Sequence, residues 1–236
     1  MNVSEPLGVG EVVRRVFAIY VDQAAVLMPA AAAVFVVSGI LSSVLVAAAP
    51  ALAVVALVLS VVATTLFTGM VVQLVADIQD GRRDATAAGL LRAAMPVIGK
   101  LILVGVVEGV AIVIGFILII VPGLILLTVW SVAAPVIVLE RPAGLGALRR
   151  SRELVRGNGW PVFGVILVMG VLVLVLGALL DSVGDSAGTG AGIIVTVIVG
   201  VLTAPLSALA AAVLYFELLG RAGGRVSPSS PRTTLP

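Results

Sequence analysis

Residues 121–160 read VPGLILLTVWSVAAPVIVLERPAGLGALRRSRELVRGNGW, and this stretch decides the architecture of the chain. It begins with a Val-Pro-Gly sequence and continues as an apolar segment that contains Trp130 and Pro135. It then changes into a charged block that holds five arginines between Glu140 and Arg156. An apolar segment followed by a basic amphipathic helix is typical of a membrane span that ends at a headgroup surface.

The composition of the whole chain also indicates a membrane protein. Its 236 residues are 61% hydrophobic and 11% charged, whereas soluble domains are about 45–50% apolar. Several uncharged runs reach the roughly 20 residues that a helix needs to cross a bilayer. We therefore predict an all-α integral membrane protein with six transmembrane helices, at residues 24–48, 51–76, 97–120, 123–139, 161–180 and 191–219.

These spans form one predicted domain, residues 1–220. The first apolar run is longer than the core of a signal peptide and follows a charged leader, which favours a retained span over a cleaved one. Residues 181–190 are predicted to be a flexible acidic loop, whose Asp181 and Asp185 are more typical of a solvated loop than of a calcium site. The tail, residues 221–236, is rich in Pro and Ser and is predicted to be a disordered cytoplasmic segment.

Three short amphipathic segments each precede a pair of spans. They cover about residues 8–22, 84–95 and 142–156, and we predict interfacial helices there. Their basic residues are the candidate contacts with lipid or with a partner: Arg14, Arg15, Arg92, Arg149, Arg150, Arg152 and Arg156. The repeated order divides the chain into units 8–77, 84–140 and 142–220, which reflect either a threefold internal repeat or convergent use of similar linkers.

The basic residues also predict the orientation. In the six-span arrangement every Lys and Arg falls on one side of the membrane, and the turns on the other side carry none. The positive-inside rule then places the N- and C-termini in the cytoplasm. The predominance of Arg among the basic residues and the many Ala, Val and Gly are compatible with a bacterium of high genomic GC content, so the expected location is a bacterial inner membrane. Anionic lipid headgroups are the expected partners of this basic side, and nucleic acid is not.

The absent residue types exclude several kinds of chemistry. Without cysteine the chain has no disulfide or thiolate, and without histidine it has no imidazole base and no usual zinc site. No phosphate-binding, serine-hydrolase or zinc-protease motif has the context that it requires. We predict no catalytic, cofactor or metal site.

Glu108 is the single acidic residue well inside a predicted span. It lies roughly 12 Å deeper than Lys100 at the helical rise, where an ionisable group costs about 2.5–3.5 kcal/mol on insertion scales. It is either a protonated carboxyl hydrogen-bonded between helices or a proton or cation site. Small residues that predict close helix packing flank it and recur in the last span: Gly105, Gly109, Gly192 and Gly200.

Local spacing predicts several further contacts and helix ends. Glu217 is expected to pair with Arg221 on the same helix, and Glu140 with Arg141 or Arg156. Residues 121–123 are expected to form the turn between the third and fourth spans. Asp84 and Pro142 are expected near helix starts and Gly157 at a left-handed helix end, with Trp160 at the headgroup level.

Parts of the sequence resemble a family. Residues 8–11, 121–123, 130–135 and 147–158, with Glu140, are similar to the bacterial membrane proteins described as glycerophosphoryl diester phosphodiesterase membrane domain-like. The resemblance covers residues 8–220 and implies a helical membrane module. It does not imply the phosphodiesterase activity, because that domain is a barrel that uses histidines and carboxylates, and this chain has no histidine.

The sequence therefore favours a non-enzymatic membrane module that organises anionic lipid or partner proteins at the cytoplasmic face. The alternative is a small transporter or permease subunit that uses Glu108, and a membrane-embedded enzyme is the third hypothesis.

Overall fold

A computed structural model describes residues 7–81, 86–142, 145–186 and 189–225. In these residues the fold is all-α and contains no strand. The helices are α1 (Val9–Asp22), α2 (Ala24–Ala48), α3 (Ala53–Gln79), α4 (Ala87–Ala94), α5 (Ile98–Leu118), α6 (Ile120–Trp130), α7 (Ala133–Leu139), α8 (Gly146–Val155), α9 (Gly159–Ser186) and α10 (Thr189–Arg225).

Six segments are long and apolar enough to cross a membrane, so the protein is a multi-pass membrane protein. They are α2, α3, α5, the pair α6–α7, α9 and α10. The predicted count of six is confirmed. Most helix ends lie within a few residues of the ends of the predicted spans. A short helix followed by two spans occurs three times along the chain, at α1, α4 and α8.

Helix α10 lies at the centre of the bundle and contacts α1, α2, α3, α7, α8 and α9. Half of its most apolar window is buried inside the protein, compared with 17% for α2 and for α9. Its small residues Ala208 and Ala212 are buried, and they let neighbouring helices approach closely. The helices around it expose large aliphatic side chains, which suits contact with lipid.

The three short helices pack their apolar sides on this bundle. Val12 and Val16 of α1, Leu90 of α4, and Leu148 and Leu154 of α8 are all buried in the common core. Protein therefore covers part of the apolar side of each short helix, where the sequence suggested contact with the membrane interface, while Leu91, Met95 and Leu145 remain exposed. The position of each helix is consequently fixed by the bundle.

The connection between α5 and α6 differs from the predicted Val-Pro-Gly turn. The chain reverses at Ile119, which has extended backbone (φ −160°, ψ 142°), and residues 121–123 already lie in the first turn of α6. Proline is tolerated there because the first N–H groups of a helix have no partner within the helix. Gly123 packs against α5, where a Cβ would lie 2.6 Å from Cγ of Phe116.

The fourth span is interrupted. Helix α6 ends at Trp130 and α7 begins at Ala133. Pro135 explains the interruption, because it has no N–H for the carbonyl of Ser131 and its ring crowds that carbonyl. The predicted span, residues 123–139, is therefore two helices in sequence.

Other helix ends also differ from those predicted from the sequence. Thr86 caps α4 by accepting a hydrogen bond from the Gly89 N–H, while Asp84 lies outside the described residues. Helix α8 begins at Gly146 rather than at Pro142.

Helices α9 and α10 occupy most of the predicted loop 181–190, and α10 continues through residues 221–225 of the predicted tail. Residues 187–188 and 226–236 lie outside the described parts. The left-handed Gly157 is confirmed, with φ +88°.

Candidate functional site

Helix α8, which carries most of the charged block, is docked on the interruption between α6 and α7. Helix ends leave carbonyl groups without partners inside the helix. Ser151 of α8 donates a hydrogen bond of 2.8 Å to the carbonyl of Val129, and its side chain is fully buried. The apolar and basic halves of residues 121–160 are thus joined by a specific contact.

A cluster of three polar side chains ties α8 to the central helix. The carboxylate of Glu140, at the end of α7, accepts hydrogen bonds from Arg150 Nε at 2.8 Å and from the Tyr215 hydroxyl at 3.0 Å. Tyr215 belongs to α10 and is 2% exposed. The hydrogen bond that Arg150 donates to Glu140 raises the pKa of Arg150 further above its usual range, so Arg150 stays charged. We call Glu140, Arg150 and Tyr215 the Glu140 cluster.

Helix α1 is fixed to α10 by polar contacts as well. Arg15 Nη1 lies 2.6 Å from Glu217 Oε1, and both side chains are partly exposed. The hydroxyl of Tyr20 donates to the carbonyl of Leu202 at 3.2 Å, and burial raises the pKa of Tyr20. The Arg15–Glu217 pair joins residues near the two ends of the sequence, and Tyr20 bonds to α10 further along that helix.

The observed pairs correct two local predictions. Glu217 bonds to Arg15, 202 residues away, where the sequence suggested Arg221 four residues on. Glu140 bonds to Arg150 rather than to the suggested Arg141 or Arg156. Arg141 instead closes α7 with a left-handed backbone, φ +51°.

The arginines predicted to contact lipid therefore divide into two that hold helices together and five that are exposed. Arg15 and Arg150 are engaged in the ion pairs described above. Arg149 is exposed and pairs with Glu153 on the same helix at 3.2 Å. The remaining predicted arginines are also exposed, and they are Arg14, Arg92, Arg152 and Arg156.

These exposed arginines lie at the same end of the bundle, which we call the arginine end. Helix α1 is bonded to the C-terminal part of α10, and α8 follows the end of α7. Lys100, at the start of α5, donates to the carbonyl of Pro142 at 3.3 Å, which places the α4–α5 connection at this end too. The opposite end, which we call the turn end, carries residues 49–52 and Ile119.

Glu108 lines a cleft of about 90 Å³ among α3, α5 and α7. Thr64, Thr65 and Thr68 of α3 line the same cleft, and Ala134 and Ile137 supply its apolar wall. Among the described residues, the Glu108 carboxyl has no hydrogen-bond partner. The cleft can therefore offer oxygen atoms as hydrogen-bond or metal ligands to a small polar molecule or ion. No group of three or more acidic side chains that could hold a metal ion occurs in the described parts of the chain.

The glycines predicted to pack closely behave differently from one another. A Cβ at Gly105 or at Gly109 would meet nothing within 4 Å, so neither glycine packs against a described helix of this chain. A Cβ at Gly200 would lie 3.5 Å from the Phe35 ring, which is ordinary contact between α10 and α2. Gly192 lies on α10, and its packing is outside the described side chains.

Sequence reasoning did not find Tyr215 and Ser151 as polar partners. Tyr215 lies near the charged end of an apolar span, where tyrosine is common at the headgroup level. The sequence around Tyr215 therefore does not indicate that Glu140 is its hydrogen-bond partner. The hydroxyls of α3 were visible in the sequence, but their place beside Glu108 depends on how α3 and α5 pack.

Comparisons of the chain with protein-family models, with curated proteins and with solved structures find no match.

Proposed function

We propose that this protein is a non-enzymatic module of the bacterial cytoplasmic membrane that binds anionic lipid headgroups at its arginine end. The supporting observation is that three exposed arginines, Arg14, Arg92 and Arg152, project from three different helices whose apolar sides are fixed in one core. None of the three is paired with an acidic group of the described residues. The resemblance of residues 121–158 to a membrane module agrees with this role.

The orientation is part of the proposal. The positive-inside rule puts the arginine end in the cytoplasm, where the leaflet carries anionic lipid. A basic residue near such a surface gains about 1 kcal/mol. Arginines on fixed helices present their charges at a set spacing, which favours an arrangement of several headgroups over a single site.

Replacing Arg14, Arg92 and Arg152 by glutamine is expected to reduce the preference for anionic lipid by up to about fivefold for each residue. The structure favours this triple over one that includes Arg150, because loss of Arg150 would also disturb the Glu140 cluster. The reporter is Trp160, which is 84% exposed at the start of α9. In a Trp130→Phe background it is the sole tryptophan, and its quenching by brominated phosphatidylglycerol is compared with quenching by brominated phosphatidylcholine.

The matched control replaces the same three arginines by lysine, which keeps the charge and is expected to keep the lipid preference. Added salt should weaken the preference of the parent protein, since exposed charges are screened. Equal quenching by both lipids in the parent protein, or an unchanged preference in the glutamine triple, would contradict the proposal.

A further inference from the structure

A row of hydroxyl groups leads from the turn end of the bundle towards Glu108. An open pocket lined by Ser42, Ser43, Val46 and Ala47 lies near the end of α2. It shares Ser42 and Ser43 with a second pocket of about 280 Å³ among α2, α3 and α10, which Ser60 and Thr64 also line. Thr64 in turn lines the Glu108 cleft. Each cavity therefore shares at least one hydroxyl-bearing residue with the next.

The hydroxyl protons along this row are already used. Ser60, Thr64 and Thr68 donate to carbonyls one turn earlier, at 3.0, 2.9 and 2.9 Å. Ser43 donates to Gly39 in the same way, and Ser42 donates across to Ala56. These hydroxyl groups therefore present oxygen lone pairs to the cavities. Together with an ionised Glu108 carboxylate, these five hydroxyl groups offer oxygen acceptors, which suits a cation.

The row is closed towards the arginine end. Directly after Thr68, a Cβ on Gly69 would lie 3.2 Å from Ala94 Cβ and 3.3 Å from Leu101 Cδ1. Leu101 and Val104, which form that side of the cleft, are almost fully buried. Ser42 and Ser43 therefore lie at the turn-end side of the row, and Glu108 lies at its other end.

We propose that this hydroxyl-lined route admits a small monovalent cation from the turn end to a binding site formed by Glu108 and the threonines of α3. Glu108 is the one ionisable side chain that lines the cleft in the described structure. An unpaired carboxylate is costly at this depth, so the empty site holds a proton and the bound cation replaces it. Oxygen ligands and a volume of about 90 Å³ suit an ion with a few water molecules.

The test is proton release on addition of sodium chloride to the purified protein in a weakly buffered detergent solution, with choline chloride as the control for ionic strength. We expect about one proton per chain, because the ligand must lose its proton to bind the ion. Glu108→Gln should abolish the release. The matched variant Glu153→Gln changes an exposed glutamate on α8 and should leave the release unchanged.

A second variant tests the route and does not depend on folding of Glu108→Gln. Ser42→Cys introduces the sole cysteine at the boundary between the two outer pockets. Before modification it should release protons as the parent does. After reaction with a positively charged methanethiosulfonate, the release should be lost or slowed at least tenfold. No release from the parent protein, full release from folded Glu108→Gln, or equal release from the modified cysteine variant would each overturn the proposal.

Discussion

Replacing Glu140 by alanine is expected to lower the free energy of unfolding by about 2–3 kcal/mol, because the change leaves a buried hydroxyl donor without its acceptor. The donor is Tyr215, which is 2% exposed on the central helix. Arg150 loses its partner as well, although its side chain is 36% exposed and water can solvate it in part. The measurement is the unfolding equilibrium in mixed detergent micelles.

The control for this prediction is Glu153→Ala. Glu153 is also an acidic partner of arginines on α8, but its side chain is 50% exposed. Exposed pairs of this kind contribute about 0.2–1 kcal/mol. Equal losses for the two alanine variants would show that burial of Tyr215 does not set the effect.

A double-mutant cycle isolates the contact with Tyr215. In a Tyr215→Phe background the donor is absent, so Glu140→Ala should cost less than it does alone. We expect a coupling of about 0.5–3 kcal/mol, the range for residues in one hydrogen-bond network. Additive losses would contradict the cluster as described.

Gly123→Ala is expected to destabilise the protein by about 1–3 kcal/mol, the usual cost of inserting atoms into a packed contact. The new Cβ would lie 2.6 Å from Cγ of Phe116, the ring atom nearest the backbone, which moves only when the whole side chain rotates about its Cα–Cβ bond. Gly115 faces the same contact, where a Cβ would lie 3.0 Å from the Gly123 backbone. The helices α5 and α6 would have to separate, and a thermal melt in detergent would detect the loss.

The matched controls lie on α5, the helix that Gly123 packs against. Gly105→Ala and Gly109→Ala add a Cβ where nothing lies within 4 Å. They should be neutral or stabilising by about 0.5–1 kcal/mol, because alanine favours the helix. A large loss at these two positions, with none at Gly123, would mean that α5 packs through its other face against a second molecule. Phe116→Ala should in turn relieve the effect of Gly123→Ala.

The six spans could be predicted from the sequence because hydropathy over about 20 residues reports directly on burial in lipid. The left-handed end at Gly157 was predictable for a similar reason, since it depends on one residue and its neighbours. Both features are local. The order of short helix and paired spans was also visible in the sequence.

The pairs that hold the arginine end together were not predictable. Arg15 and Glu217 are separated by 202 residues, and spacing along a helix suggests only partners three or four positions away. The glycine pattern was misleading in the same way. Gly105 and Gly109 have the spacing of a packing motif, yet Gly115 and Gly123 make the close contact, and the partner of each glycine depends on the tertiary fold.

The proposed lipid contact requires that the arginine end face the cytoplasm, and cysteine labelling tests this orientation directly. Because the chain has no cysteine, single cysteines can be placed at Ala51 and Ile119 of the turn end, and at Arg92 and Arg152 of the arginine end. A membrane-impermeant maleimide should label the first pair in intact bacterial cells and the second pair only after permeabilisation. Labelling of residue 92 or 152 in intact cells, with protection of residues 51 and 119, would contradict the orientation and with it the proposed contact with cytoplasmic lipid.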